Sequence, residues 1–396
     1  MYNIAIIGGG ASGLAAAIAA KRTDGNKSVL LIEALPRVGK KILATGNGRC
    51  NLTNLNASPE NYNSKFVTNI LNSYPPQKII DFFNSVGLKC TADSEGRVYP
   101  MSNTASSVLD CLRFEAENLG VKVLCEAHVD SIKKADNHFI INNKLKAEMV
   151  IIATGGKASP SQGSDGSGYK LLESLGHTIT PLYPALVQLT VKENVKALKG
   201  VRVKAKIKLL RSSKTVDSSA GEVLFTDYGL SGIAVMDISR SVKDGNCLCR
   251  LDILPTESES GIADFLFACR GRNPKLSCEN ALCGLLPKKV GQYVLKLCGI
   301  HGDMPLNALK KENAEHIARK IKNLRFTVTG TNGFNNAQIT AGGVKLCEFD
   351  SRTLESKKIK NLYCTGEILD VDSVCGGFNL QWAWASGITA GKNSSK

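Results

Sequence analysis

Ile4-Ala-Ile-Ile-Gly-Gly-Gly-Ala-Ser-Gly-Leu-Ala-Ala-Ala-Ile-Ala-Ala-Lys-Arg22, followed after a polar break by Ser28-Val-Leu-Leu-Ile-Glu33, decides the fold. An apolar strand over Ile4 to Ile7 runs into Gly8-x-Gly10-x-x-Gly13, then a small-residue helix, then a second strand that ends in Glu33. The three glycines serve different ends. Gly8 makes the tight turn, Gly10 admits a pyrophosphate to the backbone, and Gly13 lets helix and strand pack closely. Phosphates then sit on the free N–H groups and positive dipole end of the helix. Glu33 stands where an acid accepts from ribose hydroxyls, which fits FAD or NAD better than a 2′-phosphorylated cofactor. The run from Ile4 to Ala20 is no membrane span: three glycines interrupt it from Gly8, no basic segment precedes it, and a bilayer needs about 20 continuous apolar residues.

Working outward, 396 residues exceed one ordinary core, so two or three domains are expected. The 37 glycines and 43% hydrophobic residues suit an α/β protein with many tight turns. Thirteen cysteines, an odd number, show no disulfide or zinc spacing. Cys247 and Cys249 form the one tight pair, which alternation along a strand explains better than a metal. Reduced thiols and a cytoplasmic location are the expectation. The histidines (His128, His138, His177, His301, His316) are too dispersed for a metal site or a catalytic base. The formal charge is +15. Part of it lies in Val201-Arg-Val-Lys-Ala-Lys-Ile-Lys-Leu209, whose strict alternation puts Arg202, Lys204, Lys206 and Lys208 on the wet face of an antiparallel strand. A solvated face is the first reading, a wall guiding an anionic substrate the second, and RNA the third.

Between Leu35 and Asn54 the chain reads as a short helix over 38–44 and a glycine-rich loop tipped by Asn47, Arg49, Cys50 and Asn51. Such a loop is costly to order unless it wraps something, and a flavin ring is a candidate. Helical spacing covers 58–87, broken at Pro75-Pro76, and Thr104 opens a helix to about Leu119. Glu148-Met-Val-Ile-Ile-Ala-Thr-Gly-Gly156 reads as another parallel strand. From Tyr183, period-two segments near 186–192, 201–211, 214–226 and 246–253 suggest an antiparallel sheet or small barrel, with a helix around 231–242. Residues 257–322 turn helical, and 324–329 return to strand. In the tail, a strand leads to Gly366-Glu367, and Gly376-Gly377 precede a helix expected over Trp382 to Ala390, whose free N–H groups can face an electron-accepting ring.

The pieces G-G-G-A-S-G-L-A-A-A, G-K-K-I-L-A-T-G-N-G-R-C-N-L-T-N, A-T-G-G, F-T-D-Y-G-L-S-G, I-T-A-G-G-V and T-G-E-I-L-D-V-D-S-V-C-G-G-F-N-L-Q-W-A-W-A-S-G run from end to end of the chain. They resemble a bacterial family of NAD(P)/FAD-dependent oxidoreductases, the aminoacetone-oxidase-like or BaiN-like flavoproteins. The resemblance implies an α/β fold: a discontinuous Rossmann-like FAD-binding domain with an inserted β-barrel-like domain and a helical subdomain. Its expected bounds are 1–185 and 346–396 for the FAD domain, 186–255 and 323–345 for the β domain, and 256–322 for the helices. Carried over by position, it implies FAD contacts from Gly8, Gly10, Ala11, Ser12, Gly13 and Glu33, and from Lys41, Gly46, Asn47, Gly48, Arg49, Cys50 and Asn51. It implies further contacts from Val129, Thr154, Gly155, Gly366, Glu367, Gly376, Gly377, Phe378, Asn379 and Leu380. Ser373 stands where a glycine is frequent, and Phe378 where a tyrosine is.

No second GxGxxG with its acid is present, so NAD(P)H is expected to dock transiently as electron donor. The catalytic acid or base is not legible; Arg49, Cys50 and Cys375 are the candidates nearest the ring. For the two cysteines packing beside glycines is the preferred reading, and for Arg49 charge stabilisation and loop anchoring weigh equally. Asp227 and Tyr228 are candidates to face a substrate cleft, with Ser231 as a helix cap. Three functions stay open: a reductase of a small organic substrate such as an enone, an oxygen-using amine or aminoketone oxidase, and a nucleic-acid-modifying or redox-sensing flavoprotein.

Overall fold

The computed structural model describes residues 1–243 and 245–396. They form two compact units, Met1–Ala185 with Phe334–Lys396, and Leu186–Gly333. In the first, the opening strand Tyr2–Ile7 pairs in parallel with Val29–Ile32 on one side and Leu145–Ile152 on the other. Lys122–Leu124 extends the sheet beyond Val29–Ile32, and Leu362–Cys364, from the far end of the chain, pairs in parallel with Leu145–Ile152. An antiparallel hairpin of Ile132–Lys134 and Phe139–Ile141 completes it. Ile4, Ile6, Leu31 and Ile151 are wholly buried, as the central strands of a sheet covered on both faces should be.

The helix Ala11–Thr23 owes its small residues to a neighbour. It packs along the C-terminal helix Phe378–Ser394. A Cβ on Gly387 would stand 2.4 Å from the Ser12 carbonyl oxygen, and one on Gly391 2.2 Å from that of Ala16. Close backbone approach, not propensity, therefore selects glycine and alanine here. The C-terminal helix starts at Phe378 rather than the expected Trp382, because Gly377, at φ 100°, ends the loop one residue earlier.

In the second unit, strands Leu189–Val191, Gly229–Ser231, Lys214–Phe225, Arg202–Arg211, Cys247–Asp252 and Leu324–Thr331 close into a barrel in that order. Val203, Ala205, Ile207 and Leu209 fill its interior with Cys249 and Phe326, while Arg202, Lys204, Lys206 and Lys208 are exposed. Four helices, Glu259–Arg272, Cys278–Leu282, Lys288–Leu297 and Lys311–Lys322, follow the strand Cys247–Asp252.

Two further boundaries differ from expectation. Ser231 is the last residue of a strand, and Gly232 (φ 98°) is the cap of the helix Ile233–Ile238. The second segment of the first unit begins at Phe334 rather than at 346, because Ile339–Ala341 pairs with Tyr183–Ala185. Among the described residues no His/Cys/Asp/Glu group could hold a metal ion, and no helix is long and apolar enough to cross a membrane.

Candidate active site

The glycines after the first strand divide into two kinds. A Cβ on Gly8, at φ 104°, would meet the Ala153 carbonyl oxygen at 2.5 Å, and one on Gly13 would meet that of Gly8 at 1.9 Å. Both are packing positions. Gly10, which caps the helix, has nothing within 4 Å of its Cβ position. No side chain caps this helix and no acid lies in its first turn, so its orphan N–H groups, those around Ala11 and Ser12, are open to an anionic acceptor. Glu33 is braced beside it: Oε2 accepts from the Gly9 amide at 2.8 Å and Oε1 from that of Leu35 at 2.9 Å. Each oxygen keeps a lone pair for a hydroxyl donor. The Ala127 amide donates to the Glu33 carbonyl, and Val129 is buried two residues on.

A second cluster joins the loop after Ala44 to the start of the C-terminal helix. Gly46, Asn47, Gly48 and Cys50 all take positive φ. Thr53 Oγ1 donates to Gln381 Oε1 at 2.6 Å across 328 positions of sequence. Asn54 Nδ2 donates to the Gly376 carbonyl at 3.0 Å, Trp384 Nε1 to that of Leu52 at 3.0 Å, and the Tyr62 hydroxyl to that of Phe378 at 2.7 Å. These bonds present the C-terminal helix by its N-terminus, again with no side-chain cap and no acid in the first turn. Asn51 Oδ1, buried and without a partner, lies 2.8 Å from the Cβ position of Gly377, the capping residue.

The two clusters share one rim. A Cβ on Gly366 would touch Ser12 Oγ at 2.5 Å, and Trp382 Nε1 donates to the Gly366 carbonyl. Thr154 Oγ1 and Thr365 Oγ1 are buried without partners, and Gly155, at φ 73°, follows Thr154. Buried polar atoms are nearly always satisfied, so these orphans and Asn51 Oδ1 mark places where a polar ligand would complete the protein. The residues present therefore fit a dinucleotide.

Several expected site residues are otherwise engaged. Lys41 Nζ pairs with Glu367 Oε2 at 2.9 Å and donates to the Ala158 carbonyl, while Glu367 Oε1 accepts from the Thr340 amide at 2.9 Å. Asn379 turns its side chain on its own loop, accepting from the Ser373 amide and donating to the Ser373 carbonyl, both at 3.0 Å, and to that of Val374 at 3.3 Å. Ser373 has no left-handed backbone and donates to the Asn61 carbonyl, so no glycine is required there. Arg49 lies exposed with its guanidinium 4.5 Å over the Tyr99 ring. Cys50 is wholly enclosed, and burial pushes its thiol up to about 12, against a hydrogen bond to Thr45. It holds almost no thiolate at neutral pH. Cys375 and Leu380 are partly buried. Asp227, in the second unit, is committed to Lys199 at 2.7 Å, and Tyr228 is exposed. Sequence reasoning missed Thr53, Tyr62, Tyr99, Thr340 and Gln381; only their inclusion in, or nearness to, the quoted motifs pointed at them.

Comparison with known proteins adds chemistry to this geometry. The family described as HI0933-like protein Rossmann domain matches residues 2–393. The chain is 42% identical over 408 aligned positions to the 3-dehydro-bile acid delta(4,6)-reductase of Clostridium scindens, covering all of both chains. It is 31% identical to the ribosomal RNA dihydrouridine synthase of Escherichia coli, over 97% of this chain and 96% of that one. A solved quinol-fumarate reductase aligns over 100% of this chain and 70% of its own, with a TM-score of 0.50 at 15% identity, a likeness of fold.

Proposed function

The chain belongs to the HI0933-like Rossmann-domain family and is an FAD-dependent oxidoreductase, and from that premise we propose that it reduces a carbon–carbon double bond conjugated to a carbonyl in a small organic substrate, with NAD(P)H as donor. The observation that carries this reading is the rim itself: two uncapped helix N-termini, free of acid, with buried unpartnered oxygens on Asn51, Thr154 and Thr365 of the adjoining loops. The names of the two relatives support the reaction type. A 3-keto group conjugated to alkenes and the 5,6-double bond of uracil are both carbonyl-activated.

Gly10, Ala11 and Ser12 are assigned to the pyrophosphate, with Gly8 and Gly13 packing the turn behind them, Glu33 to the ribose, and Val129, through its backbone, to the adenine. Thr154, Gly155, Gly366 and Glu367 are assigned to the connecting chain, Lys41 acting by holding Glu367. Gly46 to Asn51 and Gly376 to Leu380 are assigned to the ring. When bound, FAD supplies hydride transfer. The first-turn N–H groups of Phe378, Asn379 and Leu380 stabilise negative charge on an electron-accepting ring, as preorganised dipoles do. Arg49, stacked on Tyr99, sets a permanent cation at the loop tip, suited to an anionic substrate. Cys50 packs and takes no part in the chemistry.

The test is anaerobic. NADH or NADPH should bleach the flavin absorbance of the loaded protein within seconds, and an enone should restore it. Bleaching by a primary amine alone, with reoxidation only by oxygen, would make the protein an amine or aminoketone oxidase instead.

A second reading, an RNA substrate, has one observation in its favour. On the outer barrel face Lys208 stands opposite Arg250, and Arg250 opposite Arg325, on three neighbouring strands. All three are exposed, and among the described residues none has an acidic partner, whereas Arg202 is paired with Glu222 and Lys322 with Asp252. Like charges directly opposite are unfavourable, and a phosphate backbone would relieve them. RNA affinity that falls steeply with salt, and falls further in Arg250→Glu, would favour this reading over the first.

A further inference from the structure

Away from the rim, the most complete polar cluster in the first unit joins His177, Glu348, Ser356 and Lys358. His177 Nδ1 lies 2.8 Å from Glu348 Oε2, and its Nε2 lies 3.1 Å from Ser356 Oγ. Serine, histidine and carboxylate follow the order of a nucleophilic triad. This hydroxyl cannot attack anything, however. The His177 side chain is wholly buried and Ser356 is 6% exposed. Ser356 Oγ also already accepts from the amides of Lys358 at 3.1 Å and Ile359 at 3.0 Å.

Hydrogen-bond accounting fixes the protons. With both Oγ lone pairs taken, the Ser356 hydroxyl has only its proton to offer, and His177 Nε2 must accept it. The ring proton is then on Nδ1 and goes to Glu348 Oε2, which also accepts from the Thr178 amide at 3.1 Å. Glu348 Oε1 pairs with Lys358 Nζ at 2.7 Å. Every group is satisfied only while the imidazole is neutral. A second ring proton, on Nε2, would face an oxygen with no free lone pair. Glu348 and Lys358 are the charged groups that face the ring, and Phe349 stacks on it at 4.7 Å. Burial pushes the imidazole below its usual value, Glu348 pulls it up, and Lys358 adds to the lowering.

We propose that the Ser356–His177–Glu348 chain is an acid-sensitive clasp, which holds residues 346–359 against the turn after helix Ser167–Ser174 and releases them when His177 is protonated. The held segment is tied onward: the Ser356 amide donates to the Leu362 carbonyl at 2.7 Å, and the Cys364 amide to that of Leu354 at 3.2 Å. Strand Leu362–Cys364 leads into Gly366 and Glu367, so the clasp steadies the C-terminal edge of the rim. The sign follows from linkage. The open form binds a proton near the free imidazole's ~6.5 and the closed form does so only at lower pH, so acidification favours opening.

Amide hydrogen exchange on the full chain, corrected for intrinsic rates, tests this without using activity or the flavin reading. Between pH 7.5 and 5.5, opening of 346–359 should rise, by at most about tenfold, with strand Tyr2–Ile7 unchanged. In His177→Phe, which keeps a ring on Phe349 but cannot titrate, the pH step should vanish. Should that variant not fold, imidazole nitrogen shifts of the native protein decide: protonated Nδ1 and bare Nε2 at pH 7.5, with a midpoint below 6.5. An Nε2–H tautomer, an ordinary midpoint, or an equal rise in His177→Phe would overturn the clasp.

Discussion

At Gly10 the first helix begins as the chain leaves its opening strand; at Gly377 the last helix begins against a loop from the other end of the sequence. Both ends lack a side-chain cap and an acid in the first turn, so both offer the same positive end to a ligand. They are built differently. Gly10 has extended backbone (φ −79°, ψ −164°) and open space around it, and the strand, turn and acid that set it lie together within residues 4–33. Gly377 is left-handed and crowded, with its Cβ position 2.6 Å from the Thr53 carbonyl. Its setting comes from hydrogen bonds to Leu52, Thr53, Asn54 and Tyr62. One terminus is made by local sequence, the other by two distant motifs meeting.

The largest effect should separate packing from binding within the first terminus. Gly13→Ala drives a methyl into the Gly8 carbonyl at 1.9 Å, backbone against backbone, with no flexible side chain to yield. A loss of about 4 kcal/mol or more is expected, read as lost soluble yield or collapse of the melting transition. Gly10→Ala meets nothing. It should leave the melting temperature of the flavin-free protein within a few degrees, yet weaken flavin binding at least about tenfold, because the methyl occupies the approach to the N–H groups. Equal damage from both substitutions would erase the distinction between the two kinds of glycine.

A smaller effect probes the second terminus. Thr53→Val removes the 2.6 Å bond to Gln381, and both partners are wholly buried. Leaving the Gln381 carbonyl oxygen unpaired costs about 1–3 kcal/mol. Exchange of the hydrogen-bonded amides in 381–385 should quicken while that of 14–18 stays as it was. Quickening at both ends would show the two termini to be one cooperative piece.

The same contrast explains what could be read from the chain beforehand. The strand–glycine–helix–acid run, the alternation over 201–209 and the helical spacing of 257–322 are local periodicities, and neighbouring residues spell them out. Thr53 with Gln381, Lys41 with Glu367 and His177 with Glu348 are single polar residues whose partners lie at least 171 positions away. Nothing in the identity of such a residue names its partner. His177 is isolated in sequence but fully paired in space. Asn379 looked available for a ligand by its place in a motif, but its side chain closes its own loop.

The smallest effect sharpens the view of the second terminus as rigid. Cys50 lies in the loop that positions Gly377, wholly enclosed and with its thiol held at about 12, whereas Cys283 and Cys347 are exposed. Iodoacetamide attacks thiolate, so native protein at pH 8 should be alkylated at Cys283 and Cys347, with Cys50 at least about a hundredfold slower. Air oxidation should leave the Cys50 thiol intact, since a sulfur that rarely ionises rarely begins disulfide exchange. If Cys50 reacted as fast as Cys283, or if two thiols disappeared unless Cys50 was first changed to serine, the loop would have to open in solution. The N-terminus built from two distant motifs would then be a transient assembly, and the local one at Gly10 the only permanent dipole end on the rim.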